Sequence, residues 1–228
     1  MPAPSAISPD APAFDRAALL AQARAGLLHE PAHVTYDKLT GRPPQSPSDF
    51  DLNPEMWAEI DGTMKPRDAA VLIPIIDRDP LTILLTTRAA HLPAHAGQIA
   101  FPGGKLEPED EGPLDAALRE TEEEIGLDRR FVTPLGYCDG YWTRTGFRVT
   151  PVVALVSTGF DLTADPREVD DTFEVPFEFL MSAVNHRIDT KVWQGRSRAF
   201  YAMPYHDRYI WGATAGMLKS LHHRLGYR

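Results

Sequence analysis

The stretch HLPAHAGQIAFPGGKLEPEDEGPLDAALRETEEEIGL, residues 91–127, carries nine Asp or Glu side chains. Its punctuation predicts one helix. Gly112-Pro113 places proline at a first helical position, where its missing N–H costs nothing, and Gly126 supplies the stop, so the helix spans 113–125. Leu114, Ala117, Leu118, Thr121 and Ile125 fall on one stripe that can pack on a sheet, while Glu120, Glu123 and Glu124, spaced i, i+3 and i+4, share a patch beside it. Glu122, Glu123 and Glu124 also sit in the last turn, where negative charge opposes the helix dipole. A solvated acidic face is the bland explanation. A divalent cation is the simpler compensation, and carboxylates on a rigid element suit oxygen-loving Mg²⁺ or Mn²⁺; no nearby His or Cys pattern suggests zinc.

Outward from this helix, the text reads as strands: AAVLIPIID (69–77), LTILLTT (81–87), QIAFPGG (98–104), FVTPLGYC (131–138), FRVTPVVALVS (147–157), RAFYAMPY (198–205) and RYIWG (208–212). ATAGMLKSLHHRL closes the chain as a helix. Strands alternating with helices predict an α/β protein, a mixed β-sheet sandwiched between α-helices, with long loops at 88–97 and 139–146. Residues 1–66 hold ten of the 21 prolines and are expected to form an N-terminal helical and proline-rich extension on a main domain spanning 67–228. Within it, FDRAALLAQARAGLLHE places Phe14, Ala18, Ala21, Ala25 and Leu28 on one face of a docking helix that begins near Asp15.

The chain has 228 residues, 43% hydrophobic and 24% charged, the balance of a soluble globular protein. No apolar run reaches the roughly 20 residues that span a bilayer. MPAPSAISPDAPAF has neither the basic nor the apolar segment of a secretion signal, so a cytoplasmic location without membrane association is expected. The single cysteine, Cys138, excludes an internal disulfide. With 23 Lys and Arg against 32 Asp and Glu, the net charge of −9 repels nucleic acid, and an anionic substrate would need local cations.

GGKLEPEDEGPLDAALRETEEEIGL resembles the Nudix box, with Gly104, Glu111, Arg119, Glu120, Glu123, Glu124, Gly126 and Leu127 in its defining positions. Thr121 stands at a usually aliphatic place, and the gap between Gly104 and Glu111 is one residue longer than the common pattern. The preceding text, LLTTRAAHLPAHAGQIAFPGG (84–104), resembles the motif that precedes the box in the coenzyme A diphosphatase branch of the Nudix hydrolases, which shares the longer gap. Leu84, Leu85, Thr86, Arg88, Gly97, Phe101, Pro102, Gly103 and Gly104 match. Ala89 replaces a typical serine, and Pro93 replaces a frequent basic residue that would bear on contacts to a substrate phosphate. TRTGFRVTPVV and IWGATAGML also look like this branch, so the resemblance covers about residues 67–222.

The resemblance implies metal-dependent hydrolysis of the diphosphate bond of coenzyme A or its thioesters. Another nucleotide (an ADP-sugar, a dinucleotide or a nucleoside triphosphate) is the alternative, and a non-catalytic nucleotide sensor the third. Glu120, Glu123 and Glu124 would bind Mg²⁺ or Mn²⁺, with a carbonyl at Gly103 or Gly104. Arg119 would pair with Glu123 or Glu111 and hold a carboxylate in its rotamer. A further carboxylate, ligand or base, would come from DPREVDDTFEVP, with Glu168 the first choice among Glu168, Asp170, Asp171 and Glu174. Arg88, His95 and Gln98, with Tyr141, Trp142, Arg144 and Phe147, would meet substrate phosphates and the adenine face. A coenzyme A-like small molecule is the expected partner, and a homodimer is plausible on family grounds.

Overall fold

The computed structural model describes residues 14–32, 46–59, 67–193 and 195–227. The proline-rich text at 33–45 falls outside the described residues. In chain order the elements are α1 (Arg16–Gly26), β1 (Arg67–Ile76), β2 (Thr82–Arg88), β3 (Ile99–Ala100), β4 (Gly103–Lys105), α2 (Pro113–Ile125), β5 (Val132–Tyr137), β6 (Tyr141–Trp142), β7 (Phe147–Val156), β8 (Val169–Pro176), α3 (Phe177–Met181), β9 (Arg187–Trp193), β10 (Arg196–Tyr205), β11 (Arg208–Trp211) and α4 (Ala213–Arg224).

The large sheet runs β3-β2-β1-β7-β5, with β4 also on β1, β6 on β7 and β8 on β2. β1 and β7 pair in parallel and the other pairs are antiparallel, so the sheet is mixed, as predicted. Its two faces follow from the period of two. From β1, Ala69, Ile73 and Ile75 join one core, while Ala70, Leu72 and Ile76 join the other. β7 repeats the division, with Val149, Val153 and Leu155 on one side and Val152, Ala154 and Val156 on the other. The first core packs against α1, α3 and α4, and the second against α2. β9, β10 and β11 form a separate three-stranded sheet. No helix among the described residues is long and apolar enough to cross a membrane.

α1 begins where expected: the Asp15 carboxylate accepts the Ala18 N–H at 2.8 Å. Its buried face, however, is Leu19, Ala23 and Leu27, and the predicted Ala21 and Ala25 are exposed. Packing selected the bulkier leucines, which bury more apolar surface than the alanine row. Two strands were missed. β8 forms within DPREVDDTFEVP (165–176), and β9 within text to which no strand was assigned. Both are rich in charge, which hides the period of two. The expected loop at 139–146 also contains the short strand β6.

Candidate active site

α2 spans the predicted residues, with Gly112 at its start and Gly126 in the left-handed conformation at its end. The last two carbonyls are taken by the chain that follows β7: Thr163 N–H donates to Ile125 O at 2.8 Å and Asp165 N–H to Glu124 O at 2.9 Å. That docking brings Glu168, a few residues on, to the helix C-terminus. Ala89 N–H donates to Glu168 O at 2.9 Å, tying the same segment to the end of β2 and its Arg88.

The clustered glutamates separate by environment. Glu122 faces Arg129, receiving its backbone N–H and its guanidinium at 2.7–2.9 Å. Glu123 is 60% exposed and pairs with Arg119 at 3.3 Å. Glu124 is 4% exposed, inside the buried stripe rather than beside it. It accepts the Gly103 N–H at 3.1 Å, and its other oxygen lies 3.9 Å from the Arg88 guanidinium. The Nε of Arg88 is buried without a hydrogen-bond partner. Glu120 lies against the backbone of Gly104, where a Cβ would stand 2.4 Å from its carboxylate; only glycine admits that approach.

Electrostatics set Glu124 and Glu120 apart. Burial pushes the Glu124 carboxyl up to about 7, and the charges of Glu168 and Glu120 add to this against the opposing Gly103 N–H and Arg88. Glu120 is also raised, mainly by burial, with Glu123 and Glu168 contributing and Arg119 opposing. Glu120, Glu124 and Glu168 thus repel one another across one region. Among the described residues no three His, Cys, Asp or Glu side chains, these glutamates included, already converge closely enough to hold a metal ion. The donors are nonetheless all oxygen, mutually repelling and partly desolvated, which fits a hard divalent cation.

Arg119 makes the expected pair with Glu123, but its main partner is neither of the two expected glutamates. It grips Asp110 through Nε and Nη2 at 2.9 and 3.0 Å, reaches Glu120 at 3.1 Å and donates to Lys105 O at 3.2 Å. Glu111 is exposed; its backbone N–H contacts Asp115. The box's additional residue therefore lies between the acid and the arginine, and Asp110, not Glu111, is the acid that Arg119 holds. The Asp110 side chain is 3% exposed, and the Arg119 guanidinium holds its carboxyl below the usual range. The common gap of five residues after Gly104 would have pointed to it.

Of the four downstream carboxylates, Asp170 accepts the Ala90 N–H, Asp171 pairs with Arg208, and Glu174 pairs with Arg78 and Thr82. Glu168 is the one whose charge is felt at both Glu120 and Glu124. His95 and Gln98 bond each other at 2.9 Å, and Gln98 O accepts the Arg88 N–H. Trp142 does not line a ligand surface. It is 3% exposed, and residues 47–49 run beside its backbone: Trp142 N–H donates to Pro47 O, and Trp142 O accepts the Asp49 N–H, both at 3.0 Å. Tyr141 is likewise buried, donating to Asp49 at 2.9 Å and packing on Gly216 of α4. Phe147 is half-buried under Arg67, while the Arg144 side chain is exposed and its N–H holds Asp49.

The NUDIX domain profile matches residues 65–193. A Yersinia pestis (strain Pestoides F) protein named "Uncharacterized Nudix hydrolase NudL" is 42% identical over 156 residues, covering 68% of this chain and 78% of its own. A Yersinia pseudotuberculosis (strain YPIII) protein of the same name aligns equally. Among solved structures, a C. elegans Ap4A hydrolase binary complex aligns with TM-score 0.42 and 22% identity, over 48% of this chain and 80% of that one. A MutT/nudix family protein from Enterococcus faecalis aligns with TM-score 0.43 and 16% identity, over 74% and 67%. On the profile match and the Yersinia relatives, the chain belongs to the Nudix family and is a Nudix hydrolase, an enzyme acting on nucleoside diphosphate derivatives.

Proposed function

We propose that the enzyme hydrolyses the diphosphate bond of coenzyme A or its thioesters, giving 3′,5′-ADP and 4′-phosphopantetheine or its acyl form. The observation that carries this reading is the junction of two motifs. Arg88, in the stretch that resembles the coenzyme A diphosphatase branch, stands 3.9 Å from the buried Glu124 of the box. The branch motif and the hydrolytic motif therefore meet at one charge pair.

Glu120, Glu124 and Glu168 would hold Mg²⁺ or Mn²⁺, with Glu123 at the outer flank and the Gly104 carbonyl as a further donor. When bound, the ion neutralises diphosphate charge and lowers the pKa of an attacking water. Arg88 balances charge on the substrate side while its guanidinium steadies Glu124. Arg119, fixed by Asp110, holds the rotamers of Glu120 and Glu123. Glu168, exposed at the rim, is the candidate base that takes the proton of water as it adds to phosphorus; the P–O–P bridge breaks and each product leaves with a phosphate. His95, Gln98 and Arg144 are the remaining candidates for contacts to the nucleotide end. Residues 1–66 would serve as a packing extension of the 67–228 catalytic domain.

Turnover of coenzyme A, acetyl-CoA, ADP-ribose, NADH, a dinucleoside polyphosphate and a nucleoside triphosphate, each with Mg²⁺ and Mn²⁺, tests the substrate. Coenzyme A or a thioester is expected to give the highest kcat/KM, with 3′,5′-ADP as product. Comparable or better turnover of ADP-ribose or NADH would overturn the assignment and leave a hydrolase of another diphosphate.

A further inference from the structure

Residues 48–53 tie together two stretches that are far apart in the chain. Ser48 bridges to Trp142, and the Asp49 carboxylate accepts the Tyr141 hydroxyl and the Arg144 N–H, both at 2.9 Å. Two tight turns follow, Asp51 N–H to Ser48 O and Asn53 N–H to Phe50 O. Asn53 then takes both backbone groups of Ala199, donating to its carbonyl at 2.7 Å and accepting its N–H at 2.9 Å. This strap, anchored by the buried Phe50, sets the loop that carries Arg144 beside the part of β10 that carries Arg198.

The small sheet decides what faces outward there. Met203 and Ile210, opposite each other on β10 and β11, are buried in the core. The alternate residues Arg196, Arg198 and Phe200 therefore share the outer face, with Trp211 opposite Ala202. Phe200 and Trp211 meet edge to face at 5.1 Å and are half-buried. Three guanidiniums, those of Arg144, Arg196 and Arg198, thus gather in one region of a chain whose net charge is −9. Burial, then the charges of Arg144 and Arg196, lower the pKa of Arg198. The two acids of the strap are engaged in holding it: Asp49 as above, and Asp51 with the Ser48 N–H and hydroxyl at 3.2 and 2.7 Å. Like charges held together in this way favour a bound anion, and rings interleaved with guanidiniums suit a nucleotide.

The region adjoins the acidic site. Arg67, at the start of β1, donates to Thr145 O at 3.0 Å. Gly104, the backbone against which Glu120 lies, is opposite Ala70, three residues farther along β1. At the rise of a strand that is ~10 Å, a gap that arginine side chains and one ribose bisphosphate close. On the other flank Thr214, three residues after Trp211, donates to Ile99 O of β3 at 2.9 Å, and β3 leads into Gly103 and Gly104.

We propose that Arg144 and Arg198, with Arg196 adding charge beside them, form a subsite for a phosphomonoester on the ribose of the nucleotide substrate. This rests on the coenzyme A reading, in which that group is the 3′-phosphate that leaves on 3′,5′-ADP. A phosphomonoester carries about −1.5 to −2 charges at neutral pH and three strong acceptor oxygens, so it engages two guanidiniums at once. The diphosphate bridge is met separately, by the metal ion and Arg88. The subsite therefore selects coenzyme A over its 3′-dephospho form, and over ADP-ribose and NADH, which carry no phosphomonoester. Residues 48–53 then do more than pack: they hold the two arginines in one place.

Two ratios test this in the full chain: kcat/KM for coenzyme A over 3′-dephospho-coenzyme A, and calorimetric affinity for 3′,5′-ADP over 5′-AMP. The wild type is expected to favour the phosphorylated member of each pair about tenfold or more, the effect of one charge-assisted contact. Arg198→Ala and Arg144→Ala should each remove most of that preference, and Arg198→Glu should abolish it. Arg130→Ala, at an arginine 74% exposed beyond α2, should keep the wild-type ratios. Each ratio is taken within one protein preparation, so a partly unfolded variant does not bias it. Ratios near one in the wild type, or ratios that survive both alanine variants, overturn the subsite and leave the coenzyme A reading to its own substrate panel. If ADP-ribose or NADH is the better substrate while 3′,5′-ADP still binds more tightly through Arg144 and Arg198, the coenzyme A reading falls and the subsite stands.

Discussion

Arg119 takes both oxygens of Asp110, at 2.9 and 3.0 Å, and no hydrogen bond or ion pair joins it to Glu111. A bidentate guanidinium–carboxylate pair fixes orientation as well as charge. Asp110→Ala should therefore lower kcat by about 10–100-fold, the usual cost of losing a residue that orients metal ligands. Glu111→Ala should leave kcat within about twofold, as expected of an exposed side chain outside the contact network. Steady-state kinetics at saturating metal separates the two; equal losses would return the supporting role to Glu111.

Glu124 offers a split between stability and activity. Its carboxylate is buried, repelled by Glu168 and Glu120, and held chiefly by the Gly103 N–H. Glutamine keeps an oxygen for that N–H and removes a desolvated charge. Glu124→Gln should thus melt at the same temperature as the metal-free wild type or higher, while losing on the order of 10²–10³ in kcat. Mn²⁺ at about 100 times its Kd should stabilise the wild type by roughly 2.7 kcal/mol and the variant much less. Thermal melts with and without Mn²⁺ check both halves. A metal-induced shift of equal size in the two proteins would remove Glu124 from the ligand set.

The docking of α1 can be tested through its faces. Leu19 is fully buried between α1 and the main core, whereas Ala21 and Ala25 point to solvent. Leu19→Ala should cost about 2–5 kcal/mol, the range for truncating a core leucine. Ala21→Gln and Ala25→Gln should change stability by no more than about 0.5 kcal/mol. Urea unfolding at constant m-value provides the measurement. A small loss at Leu19 would mean that α1 detaches without unfolding the sheet.

What could be read from the sequence was what short-range signals determine. α2 was legible to the residue because its proline start and glycine stop are local, and the conformation of Gly126 is the one such a stop requires. The two-faced sheet was legible because β1 and β7 are long enough to show their apolar runs. The Asp110–Arg119 pair was not, since a one-residue insertion can be absorbed on either side of an acid and only the turn's geometry chooses. Trp142 misled because an aromatic in a glycine-containing loop looks free, whereas its backbone pairs with residues 47–49, distant in sequence, and its side chain is buried. The division among Glu122, Glu123 and Glu124 depends on Arg129, Arg119 and the segment after β7, none of which helical spacing reveals.

The C-terminal helix carries a pH-sensitive contact. His222 on α4 meets His186 edge to face at 4.8 Å, and its Nε2 is buried without a partner. Burial first, then the charges of His186, Lys219 and His223, lower its pKa from 6.5 to about 4. His186 is lowered too, mainly by burial, though Leu180 O opposes the shift. For a histidine with a depressed folded pKa, the unfolded chain binds the proton more tightly. Stability is then full above about pH 6.5 and falls as pH drops toward 4, by at most ~1.4 kcal/mol per unit for each such group. His222→Phe, which keeps an aromatic ring against His186 and Tyr227, should flatten this slope while leaving stability at pH 8 within about 1.5 kcal/mol of the wild type. Chemical denaturation at pH 8, 6.5 and 5 measures both, and an unchanged slope in the variant would place the acid sensitivity elsewhere.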